Sequence, residues 1–300
     1  MVAYEPLISV LIPSYNHASY IKEAIESIRS QDYKNLEIVV VDDFSTDGSR
    51  KILKKLSQQE GAKLRLFLNE KNEGVASTIN VAIKHARGEL VALLASDDLF
   101  LPDRFSVQLK KFSDDPRLRI IYADGRALEN GKVAGKLHGD RVFSLLQNNS
   151  GHIARYLYTH ACSLFLQTAL IKKTLLLDVG GLDGNALADD WLLNAKFFSN
   201  MKSSVEYAYV NCDVIYYRQH DANVHKDYWR QSRLKLEFIE KFTPENLKSE
   251  GFANIHYDLA RLALKSHLKR EALRHFVASQ KAKFSIRRMK FITKFLRSLF

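Results

Sequence analysis

Apolar runs alternate with amphipathic stretches through the first 124 residues. "LISVLIPSYN" leads into "ASYIKEAIESIRS", where Ile21, Ile25 and Ile28 recur at helical spacing. "LEIVVVDD" leads into "STDGSRKILKKLSQ", "LRLFLNE" into "GVASTINVAIKHA", and "ELVALLASDD" into "PDRFSVQLKKF"; "LRIIYAD" follows. Continuous apolar strands separated by helices predict a parallel sheet covered on both faces. The runs end in Ser14-Tyr15-Asn16, Asp42-Asp43, Asn69 and Asp97-Asp98. Ligands of open α/β sheets bind beyond the carboxyl ends of the strands, so these clusters are expected to share one crevice.

The regularity fades after residue 124. "NGKVAGKLHGDRVF" reads as a hairpin or loop, and "VGGLDGNALADDWLLNAKFFS" as a glycine-rich loop entering a helix. Beyond 226 the pattern is helical, with a helical hairpin over 256–280 turning near "SHLKRE". The expected organisation is a nucleotide-binding half over 1–124, a second half over 125–225 that would bind an acceptor, and a helical region over 226–300.

Composition, 46% hydrophobic and 26% charged, is that of an ordinary globular chain. Cys162 and Cys212 form neither a disulfide framework nor a metal-ligand spacing. The first 20 residues lack the order of a secretory signal, and no apolar stretch approaches the roughly 20 residues that span a bilayer. A cytoplasmic protein is expected. Charge changes the picture more: the last 75 residues hold 18 Lys/Arg against 7 Asp/Glu, which is the whole of the +11 excess.

The acidic doublets carry the candidate chemistry. Two carboxylates at a strand end are costly unless neutralised; a hard divalent cation such as Mn²⁺ or Mg²⁺, bridging to phosphates, would do this. Alternatively, Asp97 and Asp98 cap the helix beginning near Pro102. Asp42 or Asp43 could accept hydrogen bonds from a base or ribose. Asn72 and Gly74 precede a helix, where glycine lets backbone approach a ligand or simply makes a turn. Asp189-Asp190 opens a helix after a glycine-rich loop, suiting either a helix N-terminus or a general base.

The order "PSYN", "VDDFSTDGS", "NEGVASTIN", "GELVALLASDD..LPDR", "GG.D....DDW" and "YRQH" resembles the family 2 inverting glycosyltransferases across roughly residues 6–223. The resemblance implies a GT-A fold: α/β, Rossmann-like, with a mostly parallel central sheet flanked by helices and here a C-terminal helical extension. It implies that Pro13, Tyr15 and Asn16 line a nucleotide-sugar pocket, that Asp42 and Asp43 face base and ribose, and that Asn72 and Gly74 contact the base region. Asp97 would bind ribose and metal–diphosphate, with Asp98 the direct ligand of the divalent metal. Asp190 would be the general base, with Asp189 (where glutamate is usual) and Trp191 on the acceptor side. His220 would reach the metal or diphosphate. Ala95 stands where many relatives carry a third carboxylate.

The resemblance also implies a UDP-linked donor and a glycan or lipid-diphosphate-linked acceptor in surface-polysaccharide synthesis. A nucleotidyltransferase and a non-catalytic nucleotide-binding module are the rivals. The terminal "KAKFSIRRMKFITKFLRSLF" places Lys283, Arg287, Lys290, Lys294 and Arg297 on one stripe. Met289, Ile292, Leu296 and Leu299 fall on the other side, joined by Phe291, Phe295 and Phe300. Such a helix suits the interface of an anionic membrane, or packs on the body with a solvated basic face. Nucleic acid is a third possibility for a basic tail, but no recognition module accompanies it. The membrane alternative would make the protein peripheral at the inner membrane face.

Overall fold

The structure, a computed structural model, describes residues 5–162, 164–184, 189–219 and 228–298. Its first part is β1 (Ile8–Ser14), α1 (Ile21–Arg29), β2 (Leu36–Asp42), α2 (Ser49–Glu60), β3 (Leu64–Leu68), α3 (Val75–His85) and β4 (Leu90–Leu93). Next come β5 (Leu99–Phe100), α4 (Arg104–Asp114), β6 (Ile120–Glu129), β7 (Lys132–Lys136), α5 (Gly139–Leu146) and α6 (Ser150–Thr159). Then follow β8 (Leu170–Lys172), α7 (Lys173–Asp178), α8 (Asp189–Asn200) and β9 (Tyr207–Gln219). The chain continues through α9 (Tyr228–Phe242), α10 (Glu245–Lys265), α11 (Lys269–Ala282) and α12 (Lys290–Arg297).

The strands form one sheet in the order β3-β2-β1-β4-β8-β6-β9-β5, with β7 beside β6. β3, β2, β1 and β4 are parallel, as the apolar runs predict, and β9 is parallel to β6. Antiparallel pairing is confined to the later strands, β8 lying antiparallel to both β4 and β6.

Side chains alternate across a strand, and here both sides are buried. Leu11, Val39, Val41, Val91 and Leu93 pack into one layer with Ile79 and Ile83 of α3. Val10, Ile12, Ile38, Val40 and Leu90 pack into the other with Ile21, Ile25, Leu53 and Phe105. Each fully buried side chain of this size contributes about 1.5–3 kcal/mol. Because nearly all the apolar residues of β1, β2 and β4 are used inside, the chemistry falls to the polar residues at and just past their carboxyl ends.

The C-terminal helices do not stand apart. Phe238 and Ile239 of α9 and Ile255 and Leu259 of α10 belong to the first of these layers. Gly251 permits that docking, since a Cβ there would lie 3.0 Å from Ile239 Cδ1 and 3.4 Å from the Tyr158 carbonyl oxygen. α10 and α11 form the helical hairpin expected over 256–280, turning at Ser266–Leu268. Phe291 anchors α12 in a small cluster with Ala263, Ala272 and Phe276, stacked on Phe276 at 4.9 Å. Phe284, Ile286, Met289, Ile292 and Leu296 are left exposed.

Candidate active site at the strand ends

The two aspartates closing β2 do different work. Asp42 is fully buried and accepts hydrogen bonds from Ser45 N (3.0 Å), Ser45 Oγ (2.6 Å) and Arg50 Nε (2.8 Å). The expectation that Asp42 faces base and ribose is therefore corrected: its carboxylate ties the 42–50 loop to α2. Asp43 accepts from Asn69 Nδ2 and Glu73 N, both at 2.8 Å on Oδ1, and from Gly74 N at 2.9 Å on Oδ2. A carboxylate oxygen has two lone-pair sites, so Oδ2 retains acceptor capacity. Gly74 takes φ +85°, a conformation that side chains rarely adopt, and thereby presents its N–H to Asp43.

Asn16 is also a loop residue here. It sits at φ +54°, its N–H donates to Ser45 Oγ at 2.9 Å, and its Oδ1 accepts from Thr46 N at 2.8 Å. Between these loops lies a cleft of about 480 Å³, lined by Pro13, Tyr15, Asp43, Asn72 and Gly74 among the expected residues. Tyr15 is largely exposed there, a flat face open to a base. Ala95 lines the cleft too, with His17, Ser96 and Arg230, none of which the motif reading singled out. His17 directly follows "PSYN", but Arg230 comes from α9, whose basic composition gave no positional signal.

The Asp97-Asp98 doublet splits the same way. Asp98 is 1% exposed; Oδ1 accepts from Arg218 N at 2.7 Å and Oδ2 from Gln167 Nε2 at 2.8 Å. Burial and the neighbouring Asp97 charge push its carboxyl upward. Asp98 is thus turned into the protein, against the expectation that it is the direct metal ligand. Asp97 stays at the crevice, with Oδ1 3.8 Å from His17 Nδ1, while that nitrogen lies 2.7 Å from Ser96 Oγ. The Arg218 guanidinium completes the turn, donating to the Asp97 carbonyl at 2.8 Å and to Glu23 at 2.8 Å. Neither aspartate caps α4, whose N-cap is Asp103.

Among the described residues no three His, Cys, Asp or Glu converge on a cation. Asp97 offers a hard carboxylate beside the nucleotide-sized cleft, which suits an ion bound by one carboxylate together with ligand phosphates.

On the other side, α8 opens with Asp189 and Asp190. Water reaches the Asp190 side chain, yet the protein packed around it withdraws solvation and pushes its carboxyl up to about 6, opposed by the Leu166 backbone nearby. Asn194 steadies this turn, donating to the Asp190 carbonyl at 2.7 Å and to the Leu164 carbonyl at 2.8 Å. Tyr122 of β6 donates to Asn194 Oδ1. Trp191 does not face an acceptor: it is buried, stacked on Phe238 with ring centroids 3.7 Å apart, where α8 packs on α9. This corrects its assignment to the acceptor side. His220 and the Asp189 side chain lie outside the described residues.

Residues 9–172, more than half the chain, match the family model described as Glycosyl transferase family 2. The chain belongs to family 2. The match includes the cleft residues from Pro13 to Ser96 with Asp97 and Asp98, and ends before Asp190 and Arg230. A putative teichuronic acid biosynthesis glycosyltransferase of Bacillus subtilis is 37% identical over 37% of this chain and 43% of its own length. Three Rickettsia glycosyltransferases, 34–36% identical, are covered over only 22–27% of their length. Among solved structures, the Pyrobaculum calidifontis mannosyltransferase PcManGT, in complex with GDP-Man and Mn²⁺, aligns over 99% of this chain and 81% of its own. Its TM-score is 0.65 at 21% identity. S. aureus TarS 1–349 in complex with UDP-GlcNAc aligns over 97% and 81%, with TM-score 0.59 and 21% identity. The GT-A fold expected of family 2 is the fold observed.

Proposed function

We propose that this family 2 protein is an inverting glycosyltransferase that moves one sugar from a UDP-linked donor to a glycan or lipid-linked acceptor in surface-polysaccharide synthesis. The observation that carries this is one 3₁₀ turn, Leu166–Thr168, lying between the two halves of the site: the Leu166 backbone sits close enough to lower the Asp190 carboxyl, and Gln167 hydrogen-bonds the Ala95–Asp98 loop. A non-catalytic nucleotide-binding module would need the cleft but not a carboxyl raised to about 6 beside it. The nucleotide-sugar complexes of the two structural neighbours and the teichuronic acid relative support the substrate class.

In this reading Tyr15 stacks on the base, and Asp43 Oδ2 accepts a hydrogen bond from the nucleoside. Arg230 adds positive charge at the cleft, where the donor diphosphate would sit. A divalent cation held by Asp97 and the diphosphate would offset the charge of the departing group. Asp190 takes the proton of the acceptor hydroxyl as that oxygen bonds to the anomeric carbon. The bond from that carbon to the diphosphate oxygen breaks with its electron pair on the leaving group. A single displacement inverts the anomeric centre. With its carboxyl near 6, Asp190 is ionised at neutral pH and still basic enough to help.

The tail adds a location. Its exposed apolar residues sit among Lys290, Lys294 and Arg287, which supports peripheral contact with an anionic membrane surface at the inner face. No helix among the described residues is long and apolar enough to cross a membrane. The enzymatic reading is tested with a panel of UDP-, GDP- and dTDP-sugars, each with Mn²⁺, Mg²⁺ or EDTA. Turnover of a UDP-sugar in metal and not in EDTA is expected; no turnover or binding of any donor contradicts the proposal.

A further inference from the structure

The doublet Asp97-Asp98 has an unexpected keeper. Gln167 Oε1 accepts a hydrogen bond from Ala95 N at 2.6 Å, while its Nε2 donates to Asp98 Oδ2 at 2.8 Å. One amide thus grips both ends of the Ala95–Asp98 turn, which also closes on itself through Asp98 N to the Ala95 carbonyl at 3.1 Å. The grip is anchored from behind. Arg104, buried to 1% exposure, donates to the carbonyls of Gln167 (2.6 Å) and Ala169 (2.8 Å), and Gln108 donates to that of Thr168 (2.9 Å). The Arg104 guanidinium lies 4.0 Å from the Phe100 ring centroid. Burying a guanidinium is costly, and its two terminal nitrogens fix the turn whose Gln167 side chain reaches the crevice loop.

We propose that Gln167 is a positioning residue, and that it and Asp98 form a scaffold which presents Asp97 to the donor diphosphate and its cation. This rests on the glycosyltransferase reading. The scaffold needs one donor and one acceptor between positions 98 and 167, and does not need the charge to sit on residue 98.

That requirement is testable by exchange. In Gln167→Glu, two acceptors face each other at the Asp98 contact, although the bond from Ala95 N survives. In Asp98→Asn, two amide donors face each other. The double variant, Asp98→Asn with Gln167→Glu, restores the pairing in reverse. The amide now at position 98 donates to the carboxylate now at position 167. Arg218 N still finds a side-chain oxygen at position 98, and Ala95 N still finds one at position 167. Mn²⁺ binding in the presence of UDP, followed by electron paramagnetic resonance and calorimetry, is the primary readout; turnover is the second, and melting temperature controls for folding. Each single variant is expected to weaken Mn²⁺ binding at least tenfold, and the double variant to return within about threefold of the parent.

If Asp98 itself holds the cation, the double variant stays as impaired as Asp98→Asn, and the proposal falls. It also falls if Gln167→Glu lowers the melting temperature but leaves Mn²⁺ binding unchanged, since Gln167 would then be packing only. A single variant that fails to fold leaves the double variant, which carries no like pairing, to decide. If the parent binds no Mn²⁺ with UDP, the donor reading fails and this inference with it; binding by the parent with unaffected variants sinks the scaffold alone.

Discussion

At the scale of single residues, Asp42-Asp43 and Asp97-Asp98 are each divided: one carboxylate braces the fold and its neighbour faces the crevice. Arg50 and Asp42 make the cleanest test of the bracing half. Removing the guanidinium in Arg50→Met leaves a fully buried carboxylate short of a charged partner, which costs about 3 kcal/mol. Urea unfolding should show that loss with the slope unchanged. Asp190 makes a pH prediction. Its carboxyl is raised to about 6 and must be unprotonated to act, so kcat/KM should climb with pH through about 6 and level off above 7. Below that point it should fall about tenfold per pH unit. A profile flat from pH 5 to 8 contradicts the role. The doublets themselves were plain in the sequence. Which member faces the ligand was not, because Arg218 lies 120 positions beyond Asp98, and no local pattern encodes that bond.

At the scale of elements, the apolar runs revealed β1, β2 and β4 because both faces of those strands are buried, leaving little competing signal, while β3 is partly covered at the end of the sheet. The reversal at β8 was not legible. That strand has three residues, too few to carry a period, and its direction follows from the Arg104 and Gln108 contacts that fix the turn before it. Trp191 misled for a related reason: it follows an acidic pair that reads as chemistry, but its position on α8 directs it at Phe238. The amphipathic tail is divided by packing, since Phe291 docks while Ile292 beside it stays exposed. Phe291→Ala should release α12, a local loss of about 3 kcal/mol. Hydrogen exchange is then expected to quicken across 290–297 while β1 to β4 keep their protection.

At the scale of the whole molecule, a sheet covered by two apolar layers carries a crevice at the carboxyl ends of β1, β2 and β4, and a helical layer shares its core and supplies Arg230 to the same cleft. The basic excess of the last 75 residues surrounds an apolar strip that α12 does not bury. Co-sedimentation should therefore occur with vesicles containing phosphatidylglycerol and not with neutral ones. Replacing Ile292 and Leu296 by Asp should lower it at least tenfold, and raising salt should weaken it. Equal binding to neutral vesicles would remove the electrostatic half of that account.

The central claim is that Asp190 is the base of a glycosyl transfer. The most direct measurement is to compare the parent and Asp190→Asn in two assays on the same preparation, UDP-sugar binding by calorimetry and transfer in single turnover. The account predicts donor affinity within a few-fold of the parent and transfer slowed by about 10²- to 10⁴-fold. Transfer at the parental rate by Asp190→Asn would contradict it.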